Sequence, residues 1–475
     1  MFKLPKPKKS TKNKNIFAGV GISKADDPFT AGKEAVENAI KEMQSRGGKQ
    51  PNFGLVFCSG GKYGKNDKTI RELVNGAHSV FSEYNCKWVG CTTSGEITPK
   101  GIEHGSVVVC AISTEYIRFG VGVGENLSEN PKEAGKKAVK RALDDITPDK
   151  YVDAYIRYLA TKTKKPSELI KQRQFAILTL PAGFTLKKSG WEDKMLDGIK
   201  EIVGDYTPII GGSAGDDGKL IKNYQFANGK TYEDSIVCTA IFSNLKLGFG
   251  LAHGFEPTDK IALVTKAEGN TVYELNHRPA VDVYAELLGV KKEELLKGMG
   301  FLKIGEKLPI LTFKFFGKVM KTEEIMKKIS FFKFMMENPF GIPDISGNFW
   351  MKIPKRIKEN KYLEFYSKIP QNLPLTLMQV SKEKSIKATA DAVTQSLKEI
   401  KKPGIIIIFE CAGRQFYLGN NLSKSFKNTK NMLKENTLIG FYTYGEQGFT
   451  KNMPSGHHSY TCVVFSIGNR LITQK

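Results

Sequence analysis

Glycine-bounded turns that close on a carboxylate occur three times in this sequence. They run from Val89 to Glu96, from Ile210 to Asp216 and from Ile439 to Glu446, and each begins with an apolar segment. Glycines after a strand permit positive φ and expose consecutive backbone N–H groups, which suits an anion, whereas the neighbouring carboxylates suit a cation. A small zwitterion such as an amino acid needs both kinds of group, so the pattern is compatible with a site for one.

Ten residues in or near these turns are candidates for ligand contact. Arg414 could hold a carboxylate in bidentate fashion, or it could close a strand through a salt bridge. Each turn alone could be plain turn structure, but the return of the carboxylate in every copy favours a function. His253 could equally be an ordinary structural histidine. The candidates are Cys91, Ser94, Gly95, Glu96, Asp216, His253, Arg414, Tyr442, Gly445 and Glu446.

Catalysis and cofactor binding have weaker support in the sequence. Cys91 and Cys411 lie in Gly-rich turns at strand ends, where backbone dipoles could lower a thiol pKa and prepare a nucleophile. No histidine and acid near either one identify a triad, so we expect no enzyme; a cysteine-dependent enzyme is one alternative. The six histidines include no haem attachment motif and no zinc-ligand spacing. We therefore expect no metal and no cofactor, and a haem-based gas sensor is the other alternative.

The elements that must position the turns also recur. Short apolar runs lie upstream of the turns at Leu55–Gly61, Ile177–Gly183 and Ile405–Gly413, at intervals of roughly 30 residues that fit a strand, a helix and a strand. A further strand follows each turn, at Ser106–Ile112, Ser235–Ile241 and Tyr460–Ile467. A strand that leads into a helix begins each copy, at Phe17–Ile22, Phe119–Val123 and Leu375–Val380. Cys110, Cys238 and Cys462 occupy equivalent places in the strand after the turn, where we expect them to pack in the core.

This alternation of strands and helices predicts the fold class. It is typical of predominantly parallel sheets with helices on their faces. The chain has 475 residues, enough for more than one core, and its 40% hydrophobic and 25% charged residues are ordinary for a globular protein. We predict an α/β fold in which three loosely repeated strand-helix-strand-helix-strand-strand units form two lobes with mostly parallel mixed sheets.

The net charge of +23 comes mostly from lysines that are spread along the chain and interleaved with acidic residues. No nucleic-acid-binding motif accompanies the charge, so we interpret it as a solvated surface and expect no nucleic acid partner. Residues 1–15 hold six lysines and no acidic residue, which predicts a basic flexible tail.

A basic aromatic insertion at 302–336 is a second place where lysines are dense. Ile325, Ile329, Phe332 and Met336 recur there at helical spacing beside several lysines. Such a helix could make peripheral contact with an anionic membrane or bind an acidic partner, or it could simply pack on the lobe beneath it. A second insertion, at 149–174, is also predicted to be helical.

Two features of the sequence bear on location. No run approaches the roughly 18 apolar residues of a spanning helix, and the short apolar stretch at 16–22 is followed by charged residues, unlike a signal peptide. Seven cysteines without a Cys-x-x-Cys pair predict free thiols in a reducing compartment. We therefore expect a cytoplasmic protein.

Motifs in both halves of the chain resemble those of FIST (F-box and intracellular signal transduction) domains. The turns Val89–Glu96 and Ile210–Asp217 resemble the signature turns of the N-terminal domain. The segments Gly248–Pro257 and Val264–Asn270 resemble the join between the two domains. The motifs that resemble the C-terminal domain are Asn338–Pro343, Phe409–Arg414 and Gly440–Glu446. The resemblance covers roughly residues 16–467 in the correct order.

The resemblance implies a FIST N-terminal-like domain at 16–270 and a FIST C-terminal-like domain at 271–475. It also implies a sensory input domain for small ligands, proposed to include amino acids, and some members are thought to bind haem and respond to nitric oxide. No kinase, cyclase or chemoreceptor module is present in this sequence. A signal would therefore pass to a separate signalling protein.

Overall fold

Repeated elements make up most of the computed structural model, which describes residues 14–146, 174–297, 313–315, 318–320, 330–344, 347–433, 437–450 and 453–472. Nearly all of the predicted tail at 1–15 and of the insertion at 149–174 lies outside these residues. Most of the insertion at 302–336 does too, including Ile325 and Ile329 of the predicted helical stripe. Those expectations stay predictions.

Two complete repeats occupy the first half of the chain. The first contains β1 (Phe17–Ser23), α1 (Pro28–Ser45), β2 (Phe53–Ser59), α2 (Asp67–Glu83), β3 (Lys87–Thr93), β4 (Glu96–Thr98), β5 (Gly101–Glu103) and β6 (Val107–Ser113). The second contains β7 (Ile117–Gly124), α3 (Pro131–Asp144), β8 (Gln174–Pro181), α4 (Glu192–Val203), β9 (Ile209–Gly212), β10 (Gln225–Ala227), β11 (Lys230–Tyr232) and β12 (Ile236–Ser243). Each repeat therefore has a short hairpin before its last strand that the sequence pattern did not predict.

An inserted lobe interrupts the third repeat. The repeat begins with β13 (Leu245–His253), and the insertion follows as β14 (Phe255–Glu268), β15 (Thr271–Leu275), β16 (Arg278–Pro279), α5 (Ala280–Leu288), α6 (Lys292–Leu295), β17 (Phe313–Phe315), β18 (Lys318–Met320), α7 (Ser330–Glu337), β19 (Phe340–Pro343), β20 (Phe349–Lys352), β21 (Pro354–Lys358), β22 (Tyr362–Phe365) and β23 (Pro374–Val380). The repeat resumes with α8 (Lys382–Leu397), β24 (Pro403–Cys411), α9 (Gly413–Leu418), a 3₁₀ turn (Gly419–Asn421), α10 (Leu422–Leu433), β25 (Leu438–Thr443), β26 (Glu446–Thr450), β27 (Met453–His458) and β28 (Thr461–Leu471). We name the inserted lobe, residues 255–380, the cap, and the three repeats together the body.

Three six-stranded sheets form the body, and each takes its edge hairpin from another repeat. The strand orders are β1-β6-β2-β3-β10-β11, β7-β12-β8-β9-β26-β27 and β13-β28-β24-β25-β4-β5. The hairpin β4-β5 of the first repeat completes the third sheet, β10-β11 completes the first, and β26-β27 completes the second. This exchange links the three repeats in a closed cycle. The third strand of each repeat, which is β3, β9 or β25, therefore ends against a neighbouring repeat.

The predicted α/β class with mixed sheets is confirmed, but the body sheets are not mostly parallel. Each has one parallel pair, which is β2-β3, β8-β9 or β24-β25, and its other pairs are antiparallel. The helix between those strands is the crossover that parallel pairing needs. The last strand of each repeat lies between the first and second strands and runs against both, which explains the antiparallel majority.

The first strand of the third repeat is β13, and the prediction that it is Leu375–Val380 is wrong. Leu375–Val380 lies in β23, which pairs with β14 and β19 in the antiparallel sheet of the cap. It directly precedes helix α8, so its local sequence pattern imitates the start of a repeat. The strand β13 instead pairs with β28, just as β1 pairs with β6.

All seven cysteines are free, as predicted, and all of them are buried. Cys110, Cys238 and Cys462 do pack in the core, but they are not at equivalent places. Cys110 lies opposite Leu55 of β2, whereas Cys462 lies opposite Glu410, three places further along the corresponding strand β24. Small apolar side chains fit several positions of these buried strands, so their recurrence there is a matter of packing.

The inner faces of the three body sheets share one apolar core. Phe57, Ile210 and Phe441, one from each sheet, are among its fully buried members. Two helices cover each outer face: α1 and α2 on the first sheet, α3 and α4 on the second, and α8 and α10 on the third. The cap has a core of its own, into which Cys411 and Tyr460 of the body extend. Among the described helices, none combines the length and the apolar composition needed to cross a membrane.

Candidate functional site

The three glycine-bounded turns meet at one buried place, which we name the turn centre and define as residues 94–96, 213–217 and 444–446. The backbone N of Ser94 donates to the carbonyl oxygen of Tyr442 (3.1 Å), which joins the first turn to the third. The N of Ser213 donates to the oxygen of Gly445 (2.8 Å), which joins the second turn to the third. The N of Gly215 donates to the oxygen of Thr92 (2.8 Å), which joins the second to the first. Every pair of turns is therefore in contact.

The repeated glycines have a structural explanation. A Cβ on Gly90, Gly211 or Gly440 would collide with a carbonyl oxygen of the neighbouring parallel strand. Gly95 and Gly445 adopt φ values of 119° and 150°, which side chains rarely allow. The glycines alone therefore do not identify a ligand site.

Glu96 and Glu446 begin the exchanged hairpins and are fully buried. The carboxyl of Glu446 accepts hydrogen bonds from Oγ1 of Thr443 (2.6 Å) and Oγ1 of Thr461 (2.9 Å), and Glu96 has two equivalent hydroxyl contacts. Burial raises the pKa of each carboxyl to about 8, although the hydroxyl contacts act to lower it. Both carboxyls are therefore mostly protonated at neutral pH and are weak ligands for a cation.

A glutamine takes the corresponding place in the second repeat. Gln225 is the first residue of β10, which pairs with β3. Its position opposite β3 corresponds to the position of Glu96 opposite β25 and to that of Glu446 opposite β9. Asp216 is therefore not the counterpart of the two glutamates, because the connection from β9 to β10 is longer than the two-residue turns of the other repeats. A neutral amide at the third position agrees with neutral carboxyls at the other two.

Asp216 holds this longer connection in place. Its Oδ1 accepts hydrogen bonds from the hydroxyl of Tyr444 (2.6 Å) and the backbone N of Leu220 (2.8 Å). Its Oδ2 accepts from the backbone N of Ile221 (2.7 Å) and of Lys222 (3.0 Å). The protein itself thus satisfies both oxygens, and the carboxylate ties the second turn to the third.

Arg414 is fully buried, and its guanidinium is paired inside the protein. Its Nε donates to the carboxylate of Glu410, and its Nη2 donates to the carbonyl oxygen of Ser385 (2.8 Å). Thr389 donates a further hydrogen bond to Glu410 (3.0 Å). The salt bridge considered from the sequence is therefore present. Ligand binding by Arg414 stays a prediction.

His253 ends β13 and is not part of the three turns. Its Nδ1 accepts a hydrogen bond from the backbone N of Phe255 (3.2 Å). Burial, together with the charges of Arg414 and Lys384, lowers the pKa of His253 to about 4. The imidazole is therefore neutral near pH 7, and a role of His253 in ligand binding stays a prediction.

Cys411 ends β24 as expected, whereas Cys91 lies within β3, and Cys91, Cys411 and Tyr442 are all buried. Burial raises the pKa of both thiols well above the ordinary value, and the neighbouring glutamates Glu96 and Glu446 add to that effect. The thiolate is the nucleophilic form of cysteine. Neither thiol is thus prepared for nucleophilic attack in this structure.

The cap packs against the turn centre through aromatic rings. Phe184 of the body lies between Tyr444 of the third turn and Tyr366 of the cap, with ring centroids 5.1 Å and 4.9 Å away. Phe255 stacks on Tyr460 at 5.7 Å. The turn centre therefore borders the interface between the body and the cap, and ligand sites are common at such interfaces.

Several residues at this interface were not predicted. The ring of His457 lies against Gly445, and the ring of its neighbour His458 lies 5.1 Å from Trp350 of the cap. The pair was visible in the sequence as two adjacent histidines, but its spacing matches no ligand motif. Lys352 of the cap is also buried here, and nothing distinguishes it in a sequence rich in lysine.

Two family models match the chain, the FIST N domain over residues 52–278 and the FIST C domain over residues 323–449. The chain belongs to the FIST-domain family. The resemblance noted in the sequence is thereby confirmed. FIST domains are associated with signal transduction and small-ligand sensing.

Similar proteins add little to the FIST assignment. The uncharacterized protein MJ1623 of Methanocaldococcus jannaschii is 31% identical over 276 residues, which is 55% of this chain and 49% of that protein. The chain thus spans about half the length of this curated relative. Two cyanuric acid hydrolase structures, the second from A. caulinodans, cover 95% of this chain and 100% and 99% of theirs, at 8% and 9% identity and TM-scores of 0.32 and 0.33. Similarity this low supports no inference about activity.

Proposed function

We propose that this chain is a cytoplasmic sensor that binds a small polar metabolite, such as an amino acid, without converting it, and passes the signal to a separate protein. The observation that carries the proposal is the meeting of three polar turns, one from each repeat, beside an inserted lobe. The association of FIST domains with small-ligand sensing supports it.

The proposed ligand position is the interface between the body and the cap. The neutral carboxyls of Glu96 and Glu446 and the amide of Gln225 combine donors and acceptors, which suits polar groups of a ligand. The buried thiols of Cys91 and Cys411, with their raised pKa, do not favour nucleophilic chemistry there. Binding is therefore the function that these groups support best.

The cap provides a route for the signal. A ligand shifts an equilibrium only when it binds two states with different affinity. The contacts of Phe184 with Tyr366 and of Tyr460 with Phe255 hold the cap on the body. A ligand between the two lobes would favour this closed arrangement, and a partner protein would recognise the cap in that position.

A thermal-shift screen of the full-length protein tests the proposal. The compounds are the common amino acids, small carboxylic acids and haemin, each at matched pH and ionic strength. A compound at 100 times its Kd stabilises the folded state by about 2.7 kcal/mol, which raises the Tm by a few degrees. We expect at least one small polar compound to do so.

Two results would argue against the sensor. The first is a screen in which no small polar compound raises the Tm while haemin does, which favours the haem-based alternative. The second is conversion of the stabilising compound during incubation, detected by mass spectrometry, which favours an enzyme.

A further inference from the structure

Lys352 is a buried lysine of the cap that has no acidic partner at ion-pair distance among the described residues. It is 5% exposed at the end of β20, and its Nζ donates one hydrogen bond, to Oγ of Ser367 (3.0 Å), which is 3% exposed. An ammonium group has three donors. Burial lowers the pKa of Lys352, and only the charge of Asp193 acts against this. In its charged form, the amine is thus short of both hydrogen-bond acceptors and negative charge.

Two neighbouring histidines of the body also have ring nitrogens without a hydrogen-bond partner among the described residues. His457 is 3% exposed and His458 is 1% exposed. Nδ1 of His457 and both ring nitrogens of His458 have no hydrogen-bond partner in the described part of the chain. Burial lowers the pKa of His457 to about 4 and that of His458 well below its ordinary value, and the charge of Lys352 contributes to both shifts. Both imidazoles are therefore neutral, so each can donate one hydrogen bond.

These four residues lie together where the cap meets the body. Trp350 and Lys352 are two apart on β20 and therefore project from the same face of that strand. That face meets the β26-β27 hairpin, because Trp350 packs against Gly456 and lies beside the ring of His458. The ring of His457 reaches from the same hairpin to Gly445 of the turn centre. We name Lys352, Ser367, His457 and His458 the basic cluster.

We propose that the basic cluster binds the carboxylate group of a small metabolite with a single carboxylate between the cap and the body. This inference rests on the proposed sensor function and assigns a position to its ligand. A carboxylate would supply the countercharge that Lys352 lacks and acceptors for the hydroxyl of Ser367 and for the imidazole N–H of His458, since His457 projects from the opposite face of β27. Three kinds of unsatisfied donor would then share one anion.

The charge balance favours a monoanion over a dianion such as phosphate. Lys352 is the basic group of the cluster, both histidines are neutral, and the charge of Asp193 acts on Lys352 from beyond ion-pair distance. Glu192, adjacent in sequence to Asp193, adds little negative charge at neutral pH because burial raises its pKa to about 8. One positive charge can neutralise one carboxylate, whereas a second negative charge would be buried without a partner at high cost.

The test is calorimetry on the full-length protein with acetate, L-lactate, L-alanine and inorganic phosphate at constant ionic strength. We expect at least one of the three monocarboxylates to bind the wild type and phosphate to bind more weakly. Lys352→Met should weaken that binding by about 30-fold or more, since loss of a buried charge partner costs about 2 kcal/mol at least and 1.4 kcal/mol is ten-fold. Ser367→Ala provides a second variant and should weaken binding in the same direction.

The matched control is Lys87→Met. Lys87 is a partly buried lysine of β3 that already has a partner, Asp145, at 2.9 Å, and it lies outside the basic cluster. This variant should bind the monocarboxylate as the wild type does. Equal binding by Lys352→Met, Ser367→Ala and the wild type would overturn the carboxylate site, as would failure of all three monocarboxylates to bind the wild type.

The same data separate this site from the sensor function itself. If the broader screen finds a ligand whose affinity does not change in Lys352→Met, the basic cluster is the wrong position and the sensor function stands. If the broader screen finds no ligand at all, both proposals fail.

Discussion

Replacement of Glu446 by glutamine tests whether the buried carboxyls are neutral in the folded protein. Glu446→Gln places in the third repeat the amide that the second repeat already has at Gln225, where the backbone N of Ser235 donates to Oε1 (3.3 Å). The equivalent donor at Glu446 is the backbone N of Thr461 (3.2 Å). The amide should therefore fit the site without a change in packing.

The expected effect depends on pH. Between pH 4.5 and about 8, the folded protein keeps a proton on Glu446 that the unfolded chain releases. The contribution of this group to stability is therefore complete below pH 4.5 and is lost as the pH rises through about 8. Glutamine does not titrate. The free energy of unfolding of the variant minus that of the wild type should therefore be about 3 kcal/mol larger at pH 8 than at pH 5.

Urea unfolding of both proteins at pH 5 and pH 8 measures this difference. Glu364→Gln is the matched control, because Glu364 is buried but ion-paired. Burial acts to raise the pKa of Glu364, but hydrogen bonds from Lys358 and Arg356 bring that pKa below its ordinary value. The difference between this variant and the wild type should stay constant from pH 5 to pH 8. If the difference for Glu446→Gln is also constant, the carboxyl is ionised in the folded state and the reasoning is refuted.

Three further variants test the packing of the turn centre, each by its free energy of unfolding in urea. Gly90→Ala should cost about 2 kcal/mol or more, because the added methyl group collides with the carbonyl oxygen of Val56. Tyr444→Phe removes the hydroxyl that donates to Asp216 and should cost about 1–3 kcal/mol. Arg414→Met leaves the buried carboxylate of Glu410 without its partner and should cost about 3–5 kcal/mol.

Each of these variants has a matched control. Gly468→Ala lies in β28, where a Cβ would have ordinary or slightly tight contacts, and it should cost much less than Gly90→Ala. Tyr206→Phe removes the hydroxyl of an exposed tyrosine and should be nearly neutral. Adding Glu410→Gln to Arg414→Met should recover part of the loss, because no unpaired charge remains. The described contacts would be contradicted if Gly90→Ala or Tyr444→Phe cost no more stability than its control. They would also be contradicted if the double variant lost as much stability as the two single variants together.

Local patterns predicted the elements of the fold well. Short apolar runs bounded by small residues located β2, β8 and β24, and the helices between the paired strands follow from amphipathic periodicity. Local patterns could not show which hairpin joins which sheet, because the partners are far apart in sequence. The mistaken role of Leu375–Val380 has the same origin, since a strand before a helix looks alike in the cap and in a repeat.

The candidate site was predicted in part for the same reason. The repeated turns indicated that Glu96 and Glu446 are related, and the pairing register confirms that they occupy corresponding positions. Asp216 was aligned with them because it also follows a glycine, whereas Gln225 holds the corresponding position. Whether a carboxyl is charged depends on burial, which only the assembled sheets reveal. The burial of Lys352 likewise depends on contacts between the two lobes.

Hydrogen–deuterium exchange of the full-length protein is the most direct measurement of the central claim, that a small ligand binds between the body and the cap. It compares the protein with and without the compound that raises the Tm most. We expect slower exchange at 182–185, 349–352, 366–368 and 457–460, which line the interface of the two lobes. Slower exchange confined to other regions, such as the outer helices α1 and α2, with these four segments unchanged, would contradict it.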